Sequence, residues 1–520
     1  MRHRLKYGAA VCMVVLMSSM AAFPLTSSAA SAHVKKGGSL TVVLPTSAWP
    51  TLDPAYNLTF APDNIISNSV FGMLFEPNSK GQPTPDLATG YSYSKNGLTF
   101  YLHLRHGVKF QDGTPFNAQA VAWNDQQDLI PANACVCLTN FNAVTNISTQ
   151  GPYTVVFKLS RRDTTLPSAF ANAATGDIIS PTEVASKGVG YSGQNPIGAG
   201  PFQVVSNQVS ATIVLSAYKG YWEKGHPYLS GLTFTTANGD QSELAAVESG
   251  EGQVATGLTT PAIISQQAPQ AGLNVLKAPA ISYAFVQLNT SVPPLNNILA
   301  REALLYATYP QQIVSVLYNN LYPLTEGPES KGEEYFEKNI AGFLGWNNVA
   351  KATALVRQIG GLSFQLQDTS GTLAQNQVIE ALQTQWARAG INVTLDPPTG
   401  LPQFLAKIAS GQWTAVYNPY GSFVDPFLSS VNWYDNGGKY SGYDTEAAKL
   451  QAQQYYNLGT ELNSAVARGQ VWHHLLSFID KGVYIIPLFQ SAPYFIATKA
   501  VQNFDVSQAI YPKFENVWLK

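Results

Sequence analysis

The sequence predicts an α/β protein of more than one domain, and three observations carry that reading. From position 362 onward strand-like and helix-like segments alternate: a strand at 362–367, a helix at 373–389, a strand at 391–395 and a helix at 401–410. Such alternation suits a mixed or mostly parallel sheet covered by helices. Second, 520 residues exceed what one hydrophobic core serves, so at least two domains are expected. Third, Leu98, Phe100, Leu102 and Leu104 alternate with Thr99, Tyr101, His103 and Arg105, the period of a strand with one face on a core.

At the amino terminus Arg2, Arg4 and Lys6 precede an apolar run over 9–23, and Ala30-Ser31-Ala32 offers a cleavage site before His33. This is the build of a secretory signal over 1–32, with a periplasmic, cell-envelope or extracellular mature chain. The run is short and broken by Ser18, Ser19 and Pro24, which argues against a membrane anchor. Cys12 follows Gly8-Ala9-Ala10-Val11, a poor lipoprotein box, so no lipid anchor is expected. Losing Arg2, Arg4 and Lys6 leaves 27 basic against 32 acidic residues, a net charge of −5 without a basic run. That balance excludes nucleic acid and anionic membrane as natural partners. Cys135 and Cys137 are separated by one residue, where a bridge would be strained. Two free thiols are the plain expectation and a labile bridge the alternative; a lone C-x-C does not specify a metal site.

The stretch 52–123 follows. It contains "LDPA" at 52–55 and then "LFEPNSKGQPTPDLATGYSYSKNGLTFYLHLRHGVKFQDGTPFNAQAVAW" over 74–123. Lys95-Asn96-Gly97 gives turn chemistry before the strand. Gln111-Asp112-Gly113-Thr114-Pro115 gives a second turn, and Asn117 suits the N-cap of a helix beginning near Ala118 and carrying Val121 and Trp123.

That order of pieces resembles the signature region of the family 5 solute-binding proteins, the peptide/nickel class of extracytoplasmic receptors of ATP-driven importers. Further matches follow it: Pro196-Ile197-Gly198-Ala199-Gly200-Pro201-Phe202, then Tyr221-Trp222 with Ala217 where the family has asparagine, then Arg301-Glu302-Ala303-Leu304. Gly252-Gln253 and Tyr309-Pro310 depart from the pattern, although proline still suits a helix's first turn. The resemblance implies a two-lobed periplasmic-binding-protein (venus flytrap) fold of type II, cluster C, with an extra subdomain in lobe I. It places lobe Ia at 39–68 with 195–278 and 490–520, the extra subdomain at 69–194, and lobe II at 279–489. A chain that crosses between lobes twice forms a hinge over a cleft, a preferred place for ligand.

The resemblance also points to ligand contacts. Peptide-binding relatives carry an aspartate three positions before a "DP" or "EP" pair, and it binds the ligand's α-ammonium. Here the pair is Asp425-Pro426 and the earlier position is Ser422, whose neutral hydroxyl does not compensate a buried ammonium. Aromatics crowd the same segment: Trp413, Tyr417, Tyr420, Phe423 and Trp433. Such rings suit sugars or apolar side chains, and core packing is the competing reading. After Leu52-Asp53-Pro54 the resemblance brings Leu58, Thr59, Phe60 and Ala61 to the cleft, with surface-loop packing as the alternative. Arg301 is assigned to packing of the second lobe. His473-His474 sit about 100° apart on a helix, a poor pair for one ion.

An enzyme is the rival class. The chain has no H-E-x-x-H, G-x-S-x-G or G-x-x-x-x-G-K-[ST], and Asp425 with Asp435 as a glycosidase pair has no specific spacing. The expectation is therefore a non-enzymatic, monomeric receptor without cofactor or resident metal. It captures a peptide-like or oligosaccharide solute and delivers it to an ABC permease with its ATPase subunits. A secreted carbohydrate- or peptide-active hydrolase, or a ligand sensor without transport role, is the alternative.

Overall fold

The computed structural model describes residues 34–45, 49, 51–56, 64–133, 135–280, 282–329, 331–369, 372–396, 401–421, 425–430, 442–506 and 512–520. The chain divides into two compact units, Met1–Val34 and Lys35–Lys520, and everything below concerns the second.

Three sheets organise it. A seven-stranded sheet runs in the order Asn274–Lys277, Tyr494–Ala497, Val254–Leu258, Ser39–Pro45, Gly231–Ala237, Thr212–Ala217 and Phe202–Gln208. Its centre is parallel: Ser39–Pro45 pairs in parallel with strands on both sides. Leu40, Val42, Val43 and Leu44 are all wholly buried, as a strand covered on both faces requires.

The second sheet is four-stranded and antiparallel, in the order Ala88–Tyr93, Thr99–Leu104, Thr154–Leu159 and Val144–Thr149. Phe100, Leu102 and Leu104 face its core as their alternation predicts. Leu98 does not: it is 39% exposed, while Thr99 is buried. The strand starts one residue late because Asn96 Oδ1 accepts the Leu98 N–H at 3.1 Å, which keeps Leu98 in the turn. The helix Ala118–Asp128 is capped as expected, with Asn117 Oδ1 accepting from Ala120 N at 3.0 Å. It joins two cores, since Val121 packs with the four-stranded sheet and Trp123 against the seven-stranded one.

Gln111 explains why the signature turn and the proline-glycine turn occur together. Its Nε2 donates to the carbonyls of Val70 at 2.8 Å and Phe202 at 2.7 Å, and its Oε1 accepts from Gly198 N at 3.0 Å. Gly198 and Gly200 lie so close to the Val70–Gly72 backbone that a Cβ at either would overlap it.

The third sheet is mixed, ordered Ile391–Leu395, Leu362–Asp368, Ala415–Gly421, Ser282–Leu288 and Ile485–Ser491. The parallel pair Leu362–Asp368 and Ile391–Leu395 is joined by the helix Leu373–Ala387, which buries Val378, Leu382 and Trp386. Trp386 Nε1 donates to Thr308 Oγ1 at 2.9 Å, tying this helix to the end of the helix Ile298–Ala307. The helix Pro310–Tyr318 opens on its proline, as expected.

The chain leaves the first sheet after Lys277 and enters the third at Ser282; it leaves the third after Ser491 and re-enters the first at Tyr494. Two short adjacent crossovers therefore connect the halves. One hydrophobic cluster runs from Val43, Leu258 and Ile496 on one side to Val286, Leu304 and Leu366 on the other. Among the described residues no helix is long and apolar enough to cross a membrane.

Candidate functional site

The site is built from the carboxyl end of Ala415–Gly421. This strand pairs with Ser282–Leu288 along its whole length, but with Leu362–Asp368 only as far as Tyr417, opposite Asp368. From Asn418 to Gly421 it has one partner, so one backbone edge is free of ladder bonds to a described strand. Pro419 lies in that edge and offers no N–H.

Three predicted contacts have described side chains, and all three are engaged within the protein. Trp413 packs with Phe404, Ile408 and Val416 in a small apolar cluster, and its carbonyl accepts from Asn289 Nδ2 at 2.9 Å. Tyr417 points into the large core on the opposite face, where burial pushes its phenol well above the ordinary range. Asp425 accepts from Arg468 Nη2 at 2.8 and 2.7 Å and caps the short helix Pro426–Ser430 by accepting from Phe427 N at 3.0 Å. The backbone of Tyr420 lies opposite Tyr283. Leu58, Thr59, Phe60, Ala61, Ser422, Phe423 and Trp433 lie outside the described residues, as does Asp435.

Arg301 serves packing, as expected. It is 2% exposed, donates to the carbonyls of Gly482 and Leu295, and pairs with Asp444 at 3.1 Å. His473 and His474 are held apart: His473 Nε2 lies 3.1 Å from the Tyr335 carbonyl oxygen, while His474 faces the Tyr455 ring. Cys135 and Cys137 form a disulfide, the alternative to two free thiols, with Cα atoms 5.1 Å apart, within the ordinary range. Asp128 places an oxygen within 4.8 Å of both sulfurs, but bonded sulfurs offer no thiolate to a metal.

Residues not singled out from the sequence are three carboxamides on the face of the third sheet opposite the large core. Gln287, Gln367 and Asn418 are 3%, 3% and 4% exposed. Each keeps a polar atom without a hydrogen-bond partner: Gln287 Oε1, Gln367 Oε1 and Asn418 Nδ2. The available signal was a polar residue at an inward strand position, as in "YAFVQLN" and "AVYNPY".

Comparison with known proteins places the chain among receptors. Residues 82–441 match the profile of bacterial extracellular solute-binding proteins, family 5 (middle part). A glutathione-binding protein, GsiB, of Salmonella choleraesuis is 27% identical over 438 residues, covering 80% of this chain and 81% of that one. The DppA periplasmic binding protein of Helicobacter pylori, solved with the peptide STSA, is 18% identical and superposes with a TM-score of 0.81 over 93% of this chain and 98% of its own. NikA of Brucella suis, solved with Fe(III)-EDTA, is 19% identical, with a TM-score of 0.80 over 93% and 100% of the two chains. These likenesses show the two-lobed fold.

Proposed function

The chain belongs to the bacterial extracellular solute-binding proteins of family 5, the substrate-binding components of ABC importers, and from that premise we propose that it captures an uncharged peptide-like or oligosaccharide solute between its lobes. The observation that carries the reading is the pair of adjacent crossovers between the first and third sheets, one from Lys277 to Ser282 and one from Ser491 to Tyr494. Two parallel connections allow hinge closure while holding the halves in register. Solute makes contacts with both halves only in the closed form, so it stabilises closure by its differential affinity.

A peptide-like solute fits the free edge at 418–421, where an extended backbone can add its own hydrogen bonds to the sheet. The ligands named for relatives, glutathione and the peptide STSA, belong to the same broad chemistry. Ser422 in place of the family's aspartate disfavours a free α-ammonium, which is why the solute is read as uncharged at that end. The chain carries no catalytic step in this reading. It is exported by a cleaved signal over 1–32, is not lipidated, and works as a monomer that hands solute to a permease whose ATPase subunits supply the energy.

Small-angle scattering of the mature protein tests this, with each compound that raises its melting temperature. The panel comprises di- to pentapeptides with free and blocked ends, oligosaccharides and nickel chelates. Compaction on binding supports capture between lobes. A compound that binds and leaves the scattering profile unchanged overturns it.

A further inference from the structure

The helix Ala118–Asp128 ends where two short turns, Pro131–Asn133 and Leu138–Phe141, carry the chain past Cys135 and Cys137. Among the described residues this is the one group of histidine, cysteine and acidic side chains that brings three donor atoms within 4.8 Å of one another: a carboxylate oxygen of Asp128 and the two sulfurs. The group lies at the surface. Val136, between the cysteines, is 44% exposed, and Asp128 is half-buried, so an ion reaches it without opening a core. The Cys137 N–H donates to Cys135 Sγ at 3.2 Å, a bond that favours the thiolate once that sulfur is free.

The charge around the group has one sign. The charged neighbour of Asp128 is Asp53 and that of Asp125 is Asp128, and none of the three acids is ion-paired among the described residues. Asp53 is fastened to the cysteine turn: its Oδ1 accepts from Ala55 N at 3.0 Å, and the Ala55 carbonyl accepts from Val136 N at 3.0 Å. Without a metal, protons neutralise these acids and any free thiols; a cation binds by displacing them.

We propose that Asp128, Cys135 and Cys137 form a redox-gated site for zinc, closed while the disulfide stands and opened by a dithiol reductant. Exchange transfers the bridge to the reductant, which leaves as its own cyclic disulfide, and the two protein sulfurs become thiols carrying the reductant's two protons. Zn²⁺ then binds both sulfurs and the Asp128 oxygen, the displaced protons pass to water, and a water molecule fills the fourth position. A tetrahedral zinc with bonds of about 2.3 Å to sulfur sets the two sulfurs about 3.7 Å apart. Side-chain rotation supplies that spread with the Cα atoms 5.1 Å apart. Zinc suits the set because it takes thiolate and carboxylate together and has no redox chemistry with which to reform the bridge. The site does not depend on the identity of the solute.

Zinc titration calorimetry on the full mature chain tests this, since Cys135 and Cys137 are its sole cysteines once 1–32 is removed. The protein is compared oxidised and after reduction with a dithiol and desalting without oxygen. The reduced wild type is expected to take a single zinc with an affinity about a hundredfold or more above that of the oxidised form, and Co²⁺ in its place to give a thiolate-to-metal charge-transfer band. Asp128→Asn should lower the zinc affinity of the reduced chain about tenfold or more, and Cys135→Ser with Cys137→Ser should remove both binding and band. The comparison of the two redox states needs no substitution, and melting curves without metal show whether each variant is folded. The proposal is overturned if the reduced wild type binds zinc no better than the oxidised, if cobalt gives no such band, or if folded Asp128→Asn binds zinc as tightly as the wild type. It is equally overturned if reduction unfolds the chain and zinc does not restore the melting transition.

Discussion

Asp425 and Arg468 are joined by two hydrogen bonds from one guanidinium nitrogen, 2.8 Å to Oδ1 and 2.7 Å to Oδ2, with both side chains nearly out of solvent. Arg468 Nε also donates to the Gly459 carbonyl at 2.8 Å, and Gly459 is pressed against the Phe427 ring with no room for a Cβ. The pair therefore fastens three pieces of the second lobe: the helix Pro426–Ser430, the end of the helix Glu446–Glu461 and the helix Ala465–Gly482.

Replacing Asp425 with Asn leaves a buried guanidinium without its counter-charge. The expected loss is about 3–5 kcal/mol of unfolding free energy, read by urea denaturation, because the penalty is that of the stranded cation. Unaltered stability with abolished solute binding would instead make Asp425 a ligand contact.

Stability should rise on mild acidification. Burial, reinforced by a neighbouring carboxylate, pushes Asp128, Glu243 and Asp480 up to about 8, and holds Asp125 well above its ordinary value. In the unfolded chain these acids ionise near pH 4, so between about pH 4 and pH 8 the folded state holds protons that the unfolded state has released. Their stabilisation is complete below the unfolded pKa and is lost as pH climbs through about 8. The melting temperature should be higher at pH 5 than at pH 8. Asp125, wholly buried with both oxygens lacking partners, should dominate locally: Asp125→Asn is expected to raise stability at pH 8 and flatten the profile. A melting temperature that climbs from pH 5 to pH 8 refutes this account.

Gln111→Leu tests the physical content of the signature stretch. The substitution strands the Phe202 carbonyl and the Gly198 N–H and takes one of two donors from the Val70 carbonyl, which keeps the Gly200 N–H at 2.9 Å, an expected cost of about 2–4 kcal/mol. Loss should appear as a lower denaturation midpoint; a midpoint within error of wild type would mean that water replaces the amide there.

What the sequence shows and what it hides divide along the range of the interactions. The Asn117 cap, the Pro310 helix start and the buried stripe Val378, Leu382, Trp386 depend on residues within a turn or two, and periodicity exposes them. Leu98 misleads because a three-atom detail, the Asn96 side chain capping the turn, outweighs its place in the alternation. The partner of Asp425 is 43 positions away, and nothing in a local pattern selects Arg468 over other basic residues. Trp413 shows the same gap: an aromatic in a cleft-proximal segment reads as a contact, yet the helix Leu401–Ala409 brings Phe404 and Ile408 against it. The buried row Gln367, Val416, Gln287 needs the register of three strands before its members are neighbours.

Closure itself has a testable anchor away from the strand edge at 418–421. The loop after the Thr154–Leu159 strand reaches the second lobe, where Arg161 Nη1 donates to Thr460 Oγ1 at 2.7 Å and the Thr164 hydroxyl donates to the Thr460 carbonyl at 2.9 Å, with the Leu462 carbonyl at 3.2 Å as its alternative acceptor. These bonds join the four-stranded subdomain to the end of the helix Glu446–Glu461 and so favour the state in which the two lie together. Neither residue belongs to the free strand edge at 418–421, so removing the bonds alters the closing equilibrium and leaves that edge intact. Net values of about 0.5–1.5 kcal/mol per bond predict that Arg161→Met with Thr164→Val weakens solute affinity by about tenfold or more. Titration calorimetry should show this loss, with scattering of the empty protein shifted toward the open form. If affinity is unchanged while the melting temperature falls, the contact is present in open and closed states alike and has no part in capture.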